Sequence, residues 1–425
     1  MSARLHRLAN GVRIVCDPMP GLETFALSVV IGRGARYETQ DQSGWCHLLE
    51  HMVFKGAGSR SSRDIVEHIE AEGGNINAAT GYERTSFQVR ALKGGLPLAM
   101  EIVSDLIRRP TLAPADMVRE KQVIAQEIAE AADAPDDYVF DLAQTAAFGA
   151  HPLGRPILGT SASVETATPQ SLEAFRAQLY DPSAIVVCAA GAVDEAELLA
   201  LSERWFGDAP ASGLDLSATA PEPVQFVGGA QPKVRRLEQA HLVLMLPAPS
   251  ARDDDYFALR VFSEILGGGM SSRLFQEARE RRGLAYAIDA YADTYADAGV
   301  LGVYAGCAAK DGLELAKVTA GEIMGLAERT EPGELARAKA QLKSSLFMAR
   351  ESALARAEQA AGQVLLFDRL FSTQEIGAAI DQVEASDVQR LGSSLLVPRM
   401  TATAALGAKG AAAAAEGFSR ALHGL

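Results

Sequence analysis

The chain contains few cysteines, histidines and tryptophans: 4 Cys, 7 His and 2 Trp among 425 residues. Its cysteines show no paired spacing, which is typical of a protein from a reducing compartment. No apolar run is long enough to span a bilayer, and the N-terminus has no apolar signal core. We therefore expect no membrane span and no secretion signal. The simplest location is a bacterial cytoplasm, and the periplasm is the alternative.

The chain also lacks an excess of basic residues. It has 40 Lys and Arg against 54 Asp and Glu, for a formal net charge of -14. Nucleic-acid binding requires a basic face, so we expect no nucleic-acid partner. The acidic balance is compatible with basic peptide substrates drawn to an acidic cavity, although solubility alone is the simpler explanation.

One short segment carries the chemistry. Residues 43–55 are predicted to form a helix that contains His47, Glu50 and His51. Histidines at i and i+4 lie on one helix face and can bind one zinc ion, with the adjacent glutamate as general base. This order of residues is the reverse of the commoner zinc-protease helix. The alternative, two surface histidines, is disfavoured because the helix is apolar on nearly all sides and polar groups buried there need partners or a metal.

A catalytic zinc site needs a third protein ligand and one open position. The best candidate is Glu127, within the helical run 116–130. Glu120 lies two helical turns earlier on the same face, and Glu130 follows three residues later. One of these carboxylates would bind the metal and another would orient a metal-bound histidine. The alternative is a solvated acidic stripe.

These residues resemble the motif of the pitrilysin/insulinase family of zinc peptidases. The chain length resembles the branch that contains the mitochondrial processing peptidase subunits and their bacterial relatives. Segments 73–80, 148–160, 267–275 and 279–286 also fit the family, so the resemblance covers nearly the whole chain.

The resemblance implies a role for specific residues of this chain. It assigns one Zn²⁺ per chain with ligands His47, His51 and Glu127, Glu50 as the base, Glu120 as a supporting carboxylate, and Arg279 and Tyr286 as the pair that reaches the bound peptide from the second half. Without the resemblance, the last two residues would be read as a surface arginine and a core tyrosine. An extended substrate would add as a strand beside Asn77, Ala78, Ala79 and Thr80.

The second half of the chain repeats the pattern of the first. Strand-like segments at 25–31 and 184–190 have counterparts at 241–247 and 401–405, and a helix without histidine replaces the metal helix. We therefore expect an α+β fold of two homologous domains, each a mixed, mostly antiparallel sheet packed with helices, that enclose a peptide-binding chamber. The predicted boundaries are 1–206 for the catalytic zinc-binding domain, 207–223 for a linker and 224–425 for a degenerate domain that contributes substrate-binding residues.

The predicted function is that of a zinc-dependent endopeptidase acting on unfolded or short peptides. We expect a homodimer or a heterodimer with a related subunit. Two alternatives remain: a non-catalytic structural or scaffold subunit, and the catalytic half of a heterodimer that is inactive alone.

Overall fold

The computed structural model describes residues 3–209 and 223–423. Within them, short and mostly apolar segments form the strands β1 (Arg4–Arg7), β2 (Arg13–Pro18), β3 (Thr24–Ile31), β4 (Gly56–Ala57), β5 (Arg60–Ser61), β6 (Asn75–Thr80), β7 (Thr85–Leu92), β8 (Ile185–Gly191), β9 (Gly229–Val234), β10 (Ala240–Ala248), β11 (Ala285–Thr294), β12 (Gly299–Cys307) and β13 (Ala402–Gly407).

Amphipathic segments between these strands form the helices. They are α1 (Trp45–Val53), α2 (Ser62–Ala71), α3 (Leu96–Arg108), α4 (Pro114–Asp133), α5 (Pro135–Phe148), α6 (Ser161–Glu165), α7 (Pro169–Leu179), α8 (Glu195–Phe206), α9 (Tyr256–Gly267), α10 (Gly312–Glu328), α11 (Pro332–Ala349), α12 (Ala353–Phe367), α13 (Thr373–Gln382), α14 (Ala385–Leu395) and α15 (Ala412–His423). In the part of the chain that the structure describes, no helix is both long enough and apolar enough to cross a membrane.

A six-stranded sheet in the order β1-β2-β8-β3-β7-β6 organises the first half of the chain. Only β2 and β8 run parallel, and the other neighbours are antiparallel. Strand β3 is central and buried from Phe25 onwards. The metal-motif helix α1 and the helices α2 and α3 pack on this sheet through one continuous apolar core. Strand β6 forms an edge of the sheet.

A five-stranded sheet in the order β11-β12-β10-β13-β9 organises the second half. Here too only one pair of neighbours, β13 and β9, is parallel. Read from the edge strands β6 and β11, both sheets have the same order and the same position for the parallel pair, with β1 as an addition to the first. The predicted internal duplication and the mixed, mostly antiparallel sheets are therefore confirmed.

The two compact units exchange segments between the halves of the chain. Helix α5 of the first half packs on β13, β10 and β9, and helix α12 of the second half packs on β8, β3 and β2. This exchange is not predicted by the sequence pattern. The first unit comprises 1–129, 156–221 and 348–372, and the second comprises 130–155, 222–347 and 373–425. The predicted boundaries, which follow the repeats along the chain, stay a prediction, and most of the predicted linker 207–223 lies outside the described residues.

A buried ion pair fastens helix α12 to the sheet of the first unit. Arg356 donates from Nε and Nη2 to the two carboxylate oxygens of Asp17 on β2, each at 2.5 Å. Only 12% of the Arg356 side chain and 6% of the Asp17 side chain are exposed. Ser28 of β3 also donates a hydrogen bond to Glu358. The apolar contact beside these bonds is made by small residues, such as Ala361.

We predict that Arg356→Met destabilises the first unit by about 3 kcal/mol, because it leaves the Asp17 carboxylate buried without its cation. Calorimetry and denaturant titration measure the change. The matched control is Arg420→Met, which breaks an ion pair whose partners are 67% and 70% exposed and should cost less than about 0.5 kcal/mol. Equal effects of the two substitutions would contradict the fastening role of Arg356.

Candidate metal centre

Helix α1 presents His47 and His51 one turn apart on a single face. The other faces of this helix are buried, with Leu48, Leu49 and Met52 fully inaccessible. The two imidazole rings lie 4.6 Å apart between centroids. The apolar residues therefore fix the helix against the core, and the two histidines are the groups it presents to helix α4.

Glu127 of helix α4 completes a three-residue cluster with the two histidines. Its Oε2 lies 3.8 Å from His47 Nε2 and 3.6 Å from His51 Nε2, and one ligand atom from each residue lies within 4.8 Å of the others. Tetrahedral zinc with ligand bonds of about 2.1 Å places neighbouring ligand atoms about 3.4 Å apart. The donor set, two imidazoles and one carboxylate, is one that catalytic zinc uses. The residues present therefore fit a zinc ion.

The surroundings of His47 favour the neutral imidazole. Burial, and to a smaller extent the neighbouring His51, lowers the pKa of His47 from 6.5 to about 4. The neutral ring is the form that binds a metal. Nδ1 of His47 is buried and has no hydrogen-bond partner within the described protein, so this ring lacks the outer partner that the second histidine has.

Glu120 fixes the ring of His51 from behind. Its Oε2 lies 3.1 Å from His51 Nδ1, while its Oε1 lies 2.9 Å from the ammonium group of Lys55. Glu120 is 6% exposed. A carboxylate in this position holds a metal-binding imidazole in one tautomer and orientation.

Lys55 is the member of this group that the sequence analysis missed. It lies four residues after His51, and the i, i+4 spacing that identified the two histidines extends to it. The missing information was the ammonium group's partner, since Glu120 comes from a distant part of the sequence. Cys46, beside His47, is not part of the cluster: it is 2% exposed and lies in the apolar core.

Glu50 lies beside the histidines and has a different partner. Thr80 Oγ1 on β6 donates a hydrogen bond of 2.5 Å to Glu50 Oε2. Burial raises the pKa of Glu50 above its usual value, and the Thr80 hydrogen bond opposes that rise. A carboxylate whose pKa moves toward neutrality is better suited to accept and return a proton.

Strand β6 carries the predicted peptide-binding residues along the free edge of the sheet. Asn77, Ala78 and Ala79 pair with β7 on one side, and no strand among the described residues pairs with β6 on the other. Helix α1 contacts this strand. The structure thus brings Thr80, through both its hydroxyl and its backbone, to Glu50, and it places the predicted peptide-binding residues on an edge strand.

Arg279 and Tyr286 lie in the second unit. Arg279 belongs to a π-helical segment, Phe275–Arg281, and its guanidinium lies 4.6 Å from the centroid of the Phe275 ring. Tyr286 lies on the edge strand β11 and is 62% exposed, so it is not a core tyrosine. Their predicted approach to the bound peptide stays a prediction.

Comparisons with known proteins agree on one family. The sequence model described as insulinase (peptidase family M16) matches residues 13–161, and the one described as the peptidase M16 inactive domain matches residues 166–342. A protein of Rickettsia bellii named as an uncharacterized zinc protease is 35% identical over 389 residues, covering 90% of this chain and 92% of its own. A protein of the same description from Mycobacterium tuberculosis is 34% identical over 415 residues, or 96% and 94% of the two chains.

A solved structure gives the corresponding result for the fold. The crystal structure of a protease from Helicobacter pylori superposes with a TM-score of 0.88 and covers 96% of this chain and 99% of its own. Its sequence is 21% identical, so this likeness concerns the fold alone.

We predict that Glu120→Gln lowers the affinity for zinc about tenfold, because the ring of His51 loses a charged acceptor while all three ligands remain. Competition with a chelating dye measures the dissociation constant. Glu130→Gln is the matched control, since it removes an exposed carboxylate from the same helix α4 and should leave the affinity within twofold. Unchanged affinity in Glu120→Gln would show that Glu120 does not support the metal site.

Proposed function

The chain belongs to the insulinase family of peptidases, peptidase family M16, and from this premise we propose that it is a zinc-dependent endopeptidase. In this proposal His47, His51 and Glu127 hold one zinc ion per chain, and Glu50 is the general base. The homologues named as zinc proteases support the metal and the reaction class.

One observation carries the proposal. Among the described residues, His47, His51 and Glu127 form the one group of three or more histidine, cysteine or acidic side chains whose geometry can hold a metal ion. The group combines a donor set suited to zinc with an adjacent carboxylate, Glu50, that is held by Thr80 rather than by the cluster. A ligand set and a separate base are the two components that metal-assisted peptide hydrolysis requires.

The residues have distinct tasks in this reaction. When bound, zinc supplies a Lewis acid that acidifies a water molecule and polarises the peptide carbonyl. Glu50 accepts the proton of the attacking water and returns it to the leaving amine. Glu120 keeps the ring of His51 oriented, and Thr80 holds the carboxylate of Glu50 in place. Arg279 and Tyr286, following the family resemblance, donate hydrogen bonds to the developing oxyanion.

The proposed substrates are unfolded or short peptides, including basic ones. An extended peptide would add to the edge of β6 as a further strand, with main-chain hydrogen bonds along the segment 77–80. Folded proteins cannot present such a strand without local unfolding. Main-chain pairing selects for the length and extended shape of a peptide more than for its sequence. The proposed substrate is therefore a class of peptides rather than one sequence.

A non-catalytic scaffold role is the second candidate, and the position of the motif disfavours it. The inactive-domain match begins at residue 166, after the last residue of the proposed zinc site. The match that covers His47, Glu50, His51 and Glu127 is to the peptidase model.

We propose that the chain works as a homodimer or with a related subunit, and that it resides in the cytoplasm.

We predict that wild-type protein cleaves a quenched-fluorescent basic peptide, that a chelator abolishes the cleavage and that zinc restores it. Glu50→Gln should lower kcat by at least about 100-fold while one equivalent of zinc stays bound, because the base is lost and the ligands remain. Zinc content and cleavage are measured on the same samples. The matched control, Glu130→Gln, should cleave normally. Cleavage by Glu50→Gln at near wild-type rate would refute the assigned base, and absence of zinc in the wild type would refute the proposed function.

We also predict that backbone N-methylation of the peptide at alternate positions on the side that pairs with β6 lowers kcat/KM about tenfold or more, because each methyl group removes a main-chain donor. The control peptide carries the same methyl groups at the intervening positions, whose amides point away from the strand. Scanning both registers by cleavage rate makes the test independent of the unknown register. A rate that is insensitive to methylation at every position would exclude strand addition.

A further inference from the structure

The metal helix α1 begins without a cap of its own. Its N-cap residue is Gly44, which has a φ of 89° and no side chain to accept a hydrogen bond. The first N–H groups of any helix have no partner within the helix, and burying them unpaired is costly. His47 lies in this first turn. The conformation of the uncapped helix end therefore determines where the side chain of this proposed zinc ligand lies.

A buried carboxylate from outside the helix takes the place of the missing cap. Glu38 Oε2 accepts a hydrogen bond of 2.9 Å from Gly44 N, and Glu38 Oε1 accepts one of 2.7 Å from Cys46 N. The Cys46 thiol also hydrogen-bonds to this carboxylate. Glu38 is 4% exposed. A negative charge at a helix N-terminus is stabilising, and more so when it is shielded from water.

The surroundings of Gly44 leave the turn little freedom. A side chain at Gly44 would place its Cβ 2.5 Å from the carbonyl oxygen of Leu158. Ser163 Oγ donates to the carbonyl of Ser43 at 2.7 Å, and Trp45 Nε1 donates to the carbonyl of Ser163 at 3.1 Å. These bonds hold the residues that flank the turn. Among the described hydrogen bonds, those from the N–H groups of the turn to a side chain go to Glu38.

We propose that Glu38 is a positioning residue of the metal centre: its carboxylate fixes the first turn of α1 and thereby sets the placement of His47 relative to His51 and Glu127. His47 depends on this support because its own Nδ1 has no hydrogen-bond partner within the described protein, whereas His51 is oriented by Glu120. His47 is therefore positioned through the backbone of the first helical turn, whereas His51 is positioned by a carboxylate that contacts its ring. This inference rests on the proposed function.

The test is zinc binding by Glu38→Gln, measured by dye competition at a temperature where circular dichroism shows each variant to be fully folded. Glutamine retains the size of Glu38 but replaces one of its two oxygens by an NH₂ group, which cannot accept a hydrogen bond from the N–H group that this oxygen meets. We expect zinc affinity to fall about tenfold, the range found when groups that orient metal ligands are lost. The d–d absorption bands of the cobalt-substituted variant should shift or change in intensity, which a loss of stability alone would not cause.

Asp181→Asn is the matched control. Asp181 is also a 4% exposed carboxylate of the first unit and accepts hydrogen bonds from Ser183 N at 2.9 Å and Ser183 Oγ at 2.5 Å, but it caps a different element, the short 3₁₀ helix Pro182–Ala184. It should lower the unfolding temperature and leave zinc affinity within twofold and the cobalt spectrum unchanged. If Glu38→Gln does not fold, Glu38→Asp, which is too short to reach both N–H groups, should show a smaller shift of the same kind.

The outcomes separate this inference from the function on which it rests. Wild-type affinity and spectrum in Glu38→Gln, or an equal loss of affinity in Asp181→Asn, would overturn the positioning role while leaving the zinc site intact. A wild-type protein that binds no zinc would contradict the proposed function, and this inference with it.

Discussion

The metal centre depends on one constraint: a short helix buried on its other faces must present two imidazoles in a fixed relation to a carboxylate from a different helix. Helix α1 has 9 residues, too few to be stable without its surroundings. Its apolar side chains anchor it in the core, and polar groups fix what remains free. Glu120 orients His51, Thr80 holds Glu50, and Glu38 meets the N–H groups of the first turn. The geometry that fits zinc is therefore a property of the packed unit rather than of the motif.

The duplication explains why this arrangement can reside in one half of the chain. Both sheets share one strand order. Helix α9 takes the position of α1 in the second unit, and its residues Leu259, Val261 and Phe262 are buried in the apolar core of that unit. A helix without metal ligands needs no polar supports, and its stability follows from apolar burial alone. The two edge strands β6 and β11 also correspond. The first carries Thr80 beside the proposed base, and the second carries the exposed Tyr286.

Much of the site could be predicted from the sequence because its spacing is local. His47 and His51 are one helical turn apart, and Glu120 and Glu127 are two turns apart, so each pair needed only the period of a helix. The likeness of the two sheets followed from the repeat. Lys55 and Glu38 could not be assigned in the same way. The partner of Lys55 lies in α4, and Glu38 lies in the irregular segment before α1, where no helical period relates it to the N–H groups that it accepts from. The exchange of α5 and α12 could not be predicted either. The amphipathic pattern of a helix indicates that one face packs on a sheet, but it does not indicate which of two similar sheets.

The most direct test of the account is a crystal structure of the zinc-loaded protein with anomalous diffraction data collected on both sides of the zinc absorption edge. We predict one anomalous peak per chain, bonded to His47 Nε2, His51 Nε2 and a carboxylate oxygen of Glu127 at about 2.0–2.2 Å. Glu50 should stay outside the coordination shell, with Thr80 still bonded to it. A peak elsewhere, or Glu50 as a ligand in place of Glu127, would contradict the assignment of ligands and base on which the proposed function rests.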